Sequence, residues 1–283
     1  MQVEGGHLNR RTLDPTKSPH HAFGSQLRSS REAAGLTQDQ LGERMGYTGT
    51  YISAVEVARK SPARKFARAA DKTLGTGQTL ELMWIGLRRQ GFIDGFPEHA
   101  SQEARAAEIR IFEPNIIPGL LQTRDYAAAL TTSEVLRGSI TEDQAGERLK
   151  FLAVRQRLLD RSTPPLIHAI LDESCIRRPI GGADVMREQL GHLSDLAARP
   201  NVITQVAPYS LAGNAPFRAF MTLLTFTDRS VIGYTESVEQ GYVVRNEETV
   251  RAWEADYHRL QVEALSQAAS MAMIRTAREE LTR

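Results

Sequence analysis

A single cysteine, Cys175, excludes an internal disulfide and suits a reducing compartment. Nowhere do about eighteen apolar residues run together, and no secretory h-region is present. Nothing is therefore expected to target or span a membrane, and a cytoplasmic, nucleoid-associated protein is expected. The seven histidines show no ligand spacing with cysteine or carboxylate, which argues against a metal. The pair Gly181-Gly182 is too little for a phosphate cradle, so no cofactor is expected. Internal repeats and low-complexity tracts are missing as well. Net charge is small, +1 over 283 residues, but unevenly spread. Residues 1–90 carry 14 Lys and Arg against 8 Asp and Glu, a net of +6; the remainder carries 21 against 26, a net of −5. A basic amino-terminal third is the footprint that non-specific affinity for DNA requires.

What is present begins with residues 36–56, LTQDQLGERMGYTGTYISAVE. Thr37 and Gln38 make a good helix start, Leu41 and Met45 lie four apart on one face, and Gly46 stops the helix. A second helix follows a short Tyr47-Thr48 connection, with Ile52 and Val55 three apart. Two short helices so tightly joined cannot each hide an apolar face alone. They must cross, packing Ile52 on Leu41 and Met45, and lean on a helix over 22–34 that turns Phe23, Leu27 and Ala34 inward. This predicts a helix-turn-helix whose second helix is placed to enter a DNA major groove. Gly42 keeps the crossing close at a cost of about 1 kcal/mol in helix propensity. The basic run Arg59, Lys60, Arg64, Lys65, Arg68 and Lys72 follows, where a phosphate backbone would lie.

The pattern Leu27-Arg28, Arg31, Gly35-Leu36-Thr37-Gln38, Leu41, Gly46, Ile52-Ser53, Glu56 and Pro62 resembles the XRE class of helix-turn-helix repressors. The resemblance implies five short helices and a pairing of Arg31 with Glu56; the alternative is two unrelated exposed charges. It also implies that Gln38 fixes a phosphate or reaches a base edge. The exposed recognition face comprises Thr48, Gly49, Thr50, Tyr51 and Ala54, where the class often has glutamine, arginine or asparagine. Gly49 and Ala54 cannot make bidentate purine contacts, whereas Thr50 can donate to a base and Tyr51 can reach a phosphate. Both are otherwise plain surface residues. The expected DNA-binding set is Gln38, Thr48, Gly49, Thr50, Tyr51, Arg59, Lys60 and Lys65. Readout per half-site is expected to be modest, which favours a homodimer on two half-sites.

The expected organisation is a flexible tail over 1–17 and a helix-turn-helix domain over 18–77. A helix and hinge follow over 78–100, with Gly91, Gly95 and Pro97, and then an α/β domain with a mixed sheet over 101–283. Strands are expected at 108–113, 166–173, 201–208, 217–226, 230–236 and 241–245. Helices are expected after Thr123, over 141–160 and 183–198, and as one or two over 246–281. The strings IIPGLLQTRDYAAAL, RQRLL at 155–159, DES at 172–174, MREQLGHL at 186–193, PFRAFMTLLTF and YTE at 234–236 resemble the carboxy-terminal domain of WhiJ-like regulators in actinobacteria. Those regulators join an XRE head to this domain and are described as antitoxin-like, encoded beside a short companion protein.

Two functions are expected from these features. One is a sequence-specific, DNA-binding transcription regulator whose second domain binds a small-molecule effector or companion protein. The other is an antitoxin-like protein that neutralises a small companion and regulates its own operon. An enzyme is not expected: His168, Asp172, Glu173 and Cys175 cluster at a strand end, but no elbow surrounds the cysteine. A satisfied histidine and a small buried cysteine are the default. Glu173 and Glu236 each end an apolar strand, and with Arg177, Arg178 and Tyr234 they form a candidate ligand or partner site, or else an ion-pair network. Leu80, Trp84 and Leu87, and Val250, Trp253, Tyr257 and Leu260, are candidate dimer surfaces, with burial inside one chain as the alternative.

Overall fold

The computed structural model describes residues 15, 18–87, 92, 93, 95–214, 219–237 and 240–281. The expected tail (Pro15 apart), Gly91, and the ends of the elements expected at 78–90 and 217–226 lie outside the described residues. The chain divides into two compact units, Met1–Arg88 and Arg89–Arg283.

The first unit is helical: α1 (Pro19–Ala33), α2 (Gln38–Met45), α3 (Gly49–Glu56), α4 (Arg64–Leu74) and α5 (Thr79–Leu87). Its boundaries follow from capping chemistry. Ser18, Thr37 and Thr48 each accept a hydrogen bond from the backbone N–H three residues on. Thr37 and Gln40 form a reciprocal capping box, and Gly46 closes α2 in the left-handed region at φ 72°. Phe23, Leu27, Leu41, Ile52, Val55 and Phe66 make the core, with Met45 packed against it. Ala34, expected inside, is exposed, because it lies past the last turn of α1 as its C-cap.

The boundary expected at residue 77 falls inside this unit. Helix α5 packs on α1 and α4, and Leu80 is fully buried. The buried Asp71 carboxylate anchors it, accepting from the N–H groups of Leu80 (2.9 Å) and Glu81 (2.8 Å) and from the Thr76 hydroxyl. Trp84 donates its indole N–H to the Pro62 carbonyl at 2.8 Å. Leu80 and Trp84 thus pack within one head, and Leu87 packs against the same core, so of the two readings burial within one chain holds for them.

The second unit opens with α6 (Phe96–Glu103), so Gly95 and Pro97 start a helix where a hinge was expected. Gly95 is at φ +87°, and a Cβ there would lie 2.2 Å from the Gly241 carbonyl oxygen. Then come β1 (Glu108–Glu113), α7 (Arg124–Leu136), α8 (Glu142–Gln156), β2 (Leu166–Asp172), α9 (Glu173–Arg177), α10 (Ala183–Ala197) and β3 (Val202–Ala207). The chain closes with β4 (Met221–Thr225), β5 (Val231–Glu236), β6 (Gly241–Val244), α11 (Glu247–Glu263) and α12 (Gln267–Glu280). One six-stranded mixed sheet runs β3-β2-β1-β4-β5-β6. Strands β1, β2 and β3 are parallel, while β4, β5 and β6 pair antiparallel.

Both faces of the sheet are covered. Alternation along β1 sends Ile109 and Ile111 to a core with Met186, Leu190 and Leu193 of α10 and Ile274 of α12. Phe112 points the other way, toward Tyr257 and Leu260 of α11. The Tyr257 hydroxyl donates to the His168 carbonyl at 2.8 Å, under the sheet. Val250, Tyr257 and Leu260 are therefore buried and Trp253 packs on the same core, so these positions are spent within one chain and not on a dimer face. Among the described residues no helix is long and apolar enough to cross a membrane.

Candidate functional sites: a nucleic-acid interface and a cavity

In the first unit the turn between α2 and α3 is held by contacts that leave little slack. A Cβ on Gly49 would lie 1.8 Å from Asp39 Oδ1 and 3.0 Å from Asp39 Cα, so a larger residue would have to turn the Asp39 side chain aside. Gly49 itself has no side chain to offer DNA. Thr48 uses its hydroxyl oxygen to accept from the Tyr51 N–H at 3.2 Å. Thr50 is exposed on the first turn of α3.

Tyr51 is half-buried, and its ring packs against the head's core. Its ring lies 5.0 Å from Tyr47 and 5.3 Å from Phe66, with Lys60 Nζ 4.8 Å from the ring centroid. Burial, then Tyr47, pushes its phenol above the ordinary range. The aromatic body is spent on fixing α3 to α4. Arg59, Lys60 and Lys65 are exposed and carry no ion pair among the described residues. Arg64 donates to Glu81 at 3.0 Å, which withdraws it from the basic run.

Arg31 and Glu56 form the polar centre of the unit. Arg31 Nε donates to Glu56 Oε1 at 2.6 Å and its NH2 group to Oε2 at 3.1 Å, while NH1 donates to the Leu36 carbonyl at 2.7 Å. The bond to Glu56 raises the arginine's pKa against the opposing effect of burial. Glu56 is wholly buried and also accepts from Arg28 (3.4 Å) and Gln38 (2.8 Å). Gln38, expected to fix a phosphate or reach a base edge, is half-exposed, and its amide donates to Glu56, which helps tie α1, α2 and α3 together. Sequence reasoning named Gln38 but not this partner, since the 18-residue separation is bridged only in three dimensions.

The four residues expected to form one site in the second unit do not meet. Glu173 accepts from Arg177 Nε (3.1 Å) and from the Tyr209 N–H (3.0 Å), and Arg177 also pairs with Glu280. These contacts tie α9 to the segment after β3 and to α12. Tyr234 donates to Glu236 at 2.7 Å at the end of β5. Between β2 and β5 lie β1 and β4, so the two pairs stand three strand spacings apart, roughly 14 Å. Arg178 goes elsewhere, to the Asn115 carbonyl. The expected default holds for the remaining groups at the β2 end. His168 is hydrogen bonded to Gln205 at 2.7 Å, and Cys175 is buried, its thiol pushed up by desolvation.

Glu236 instead belongs to a cavity of about 690 Å³ at the carboxyl-terminal edge of β1 and β5, roofed by α6, α7 and α8. That volume falls within the roughly 300–1,000 Å³ of small-molecule sites. Phe92, Phe96, Phe151 and Phe220 supply apolar walls. Glu103 and Arg155, both buried, form a bidentate pair with distances of 2.9 and 2.8 Å, and the guanidinium also lies 4.8 Å from the Phe96 ring centroid. Burial alone would raise the Glu103 carboxyl; Arg155 outweighs it and holds the group below its ordinary range. His99 stacks on Tyr234 at 3.9 Å and 8°, and burial lowers its pKa to about 4, so it is neutral near pH 7. Glu113, at the end of β1, is raised to about 7, first by desolvation and also by the Glu236 charge. Sequence reading missed Glu103, Arg155, His99 and Glu113. The only available signal was that Glu113, like Glu236, ends an apolar strand. No group of three or more His, Cys, Asp or Glu suited to hold a metal occurs among the described residues.

Residues 22–82 match the family model described as a helix-turn-helix domain, which spans α1 to the first turn of α5. Residues 96–276 match the model described as a domain of unknown function, DUF5753, which takes in α6 and the whole sheet. No curated protein and no solved structure matches the chain. The helix-turn-helix match indicates a DNA-binding regulator, and with well over half of its length in the second match the chain belongs to the DUF5753 family.

Proposed function

We propose that this protein is a transcription regulator that reads double-stranded DNA with α3 and answers to a small-molecule effector held in the second unit's cavity. The cavity carries the reading: a partly apolar hollow of about 690 Å³ with converging polar groups costs packing energy that an unliganded structural domain has no reason to forgo. The head supports the DNA half, since Thr50, Arg59, Lys60 and Lys65 are exposed along and just beyond α3. With the Gln38 amide bonded to Glu56 and the Tyr51 ring packed on Phe66, fewer side chains are free to reach bases than the XRE pattern implies. Two heads on half-sites roughly 34–36 Å apart, as a homodimer, would compensate. Finer placement among WhiJ-like regulators, a cytoplasmic location at the nucleoid and a non-catalytic second unit belong to the same proposal. The buried thiol of Cys175 and the hydrogen-bonded His168 support its last part. An effector alters transcription only if it binds the DNA-competent arrangement with a different affinity from the incompetent one.

The test has two stages. Sequencing of genomic fragments retained by the full-length protein is expected to return a palindromic site, and light scattering on that site two chains per duplex. Retention of random sequence would refute specific regulation. A short companion protein that binds the second unit and fills no cavity would replace the effector reading by the antitoxin-like one.

A further inference from the structure

We infer that the effector is an organic amine with a compact apolar body, its ammonium group held between Glu113 and Glu236 and its body against the phenylalanine walls. This rests on the small-molecule reading above and names the ligand class.

The argument begins with which polar groups in the cavity are already committed. Arg155 gives two hydrogen bonds to Glu103, and Arg148 pairs with Glu134. An anionic ligand would have to displace a carboxylate from either arginine, and the Arg155–Glu103 pair is buried, where breaking it is costly. The lining groups with capacity to spare are acceptors. Glu113 is 6% exposed and accepts the backbone N–H groups of Asn115, on Oε1 at 3.2 Å, and of Ile116, which leaves part of its acceptor capacity open. Glu236 accepts the Tyr234 hydroxyl on its Oε1.

His99 gives a second, independent indication. It is 2% exposed, lines the cavity, and its Nδ1 has no hydrogen-bond partner among the described residues. Its Nε2 lies 3.6 Å from Glu103 Oε2. That contact is longer than a hydrogen bond, but the carboxylate's charge favours the neutral tautomer with its proton on Nε2, and in that tautomer Nδ1 is an acceptor without a donor. Buried acceptors of this kind are costly until a donor arrives.

Charge agrees with the acceptor count. The lining carries the carboxylates Glu103, Glu113, Glu134 and Glu236 against Arg148 and Arg155 among the described residues. Aromatic faces add cation–π attraction for an ammonium and contact area for a hydrocarbon body. The groups that face Glu113 are Glu236 from β5, Tyr126 from α7 and Cys175 from α9, with Tyr234 and Arg155 behind Glu236. Of the groups whose pKa is shifted here, Glu113 is the one brought near neutrality. Glu113 is half protonated at about pH 7 in the empty cavity, so an ammonium ligand must displace that proton.

Titration calorimetry of the full-length protein with phenethylamine, phenethyl alcohol and phenylpropionate tests the inference. The amine is expected to bind at one site, with the alcohol and the carboxylate weaker by about tenfold or more. Amine affinity is expected to fall as pH is lowered from about 8 to about 6, with proton release on binding. Glu113→Gln and Glu236→Gln should each weaken the amine by about tenfold or more, and Glu113→Gln should abolish the proton release. Because Glu113→Gln removes a desolvated charge, its melting temperature at about pH 8 should be no lower than the parent's, which separates lost binding from lost folding. Equal affinity for the alcohol or the carboxylate, unchanged by either substitution, would overturn the amine class while leaving a small-molecule site standing. No heat from any of the three probes would overturn both readings.

Discussion

Each unit of this chain buries a bidentate arginine–glutamate pair, and the two pairs are used differently. In the head, Glu56 of α3 accepts from Arg31 and Arg28 of α1 and Gln38 of α2, so its charge ties three helices together. In the second unit, Glu103 and Arg155 satisfy one another in the wall of a hollow, leaving Glu113, Glu236 and His99 beside it with unused acceptor capacity. In a unit of five short helices the buried charge fixes geometry. A six-stranded sheet covered on both faces is rigid enough to keep an unfilled edge, and there buried charge sets what can enter.

The largest effect that would break this comparison is removal of either carboxylate. Glu56→Ala leaves Arg31 buried without its partner and is expected to cost the head about 3–5 kcal/mol. The second unit's thermal transition should stay in place. Glu103→Ala is expected to do the reverse by a similar amount. Calorimetry on the full chain reads both, and a common shift of both transitions would deny that the units are energetically separate.

Acidification should also separate them. Asp71 is raised from 3.8 to about 6, so the folded head takes up a proton that the unfolded chain does not; its stability falls as pH rises through that window. Lowering the pH from about 6 to about 4 should therefore stabilise the head by up to about 3 kcal/mol. In the second unit Glu113 gives the same sign between about 7 and 4.5. His99, lowered from 6.5 to about 4, gives the opposite one, because its unfolded form takes up the proton first as pH falls. The two offset, so the head's transition should rise relative to the second. Asp71→Asn should remove the difference.

Smaller effects concern DNA. Thr50→Ala is expected to cost about 1–3 kcal/mol on the specific site and little on random sequence, as measured by fluorescence anisotropy. Lys65→Ala should weaken all sequences alike and reduce the salt-dependence slope by about one, while leaving specificity unchanged. If Thr50→Ala behaved as Lys65→Ala does, α3 would not be reading bases.

The local signals were legible because they are written in adjacent residues. Thr37, Gly46 and Thr48 marked the ends of α2 and α3, Thr123 marked the start of α7, and alternation in EIRIFE and LIHAILDE marked β1 and β2. The mixed sheet followed from helices between the early strands and their absence between the later ones. Strand order was not legible: placing β4 beside β1 joins residues more than a hundred apart, and that neighbour relation depends on which faces pack.

The candidate site of the second unit failed for the same reason. Glu173 and Glu236 look equivalent in sequence, each ending an apolar strand, but three strand spacings lie between them once the sheet is assembled. By itself the sequence determined that there are two units, most of their helices and strands, and the basic character of the head, since periodicity, capping and charge act over a few residues. Only tertiary structure decided that Gln38 serves Glu56, that Leu80 and Tyr257 are interior, and that Glu113 meets Glu236 at a cavity. Those outcomes depend on which surfaces come within hydrogen-bonding distance after the chain has folded, and no local spacing encodes them.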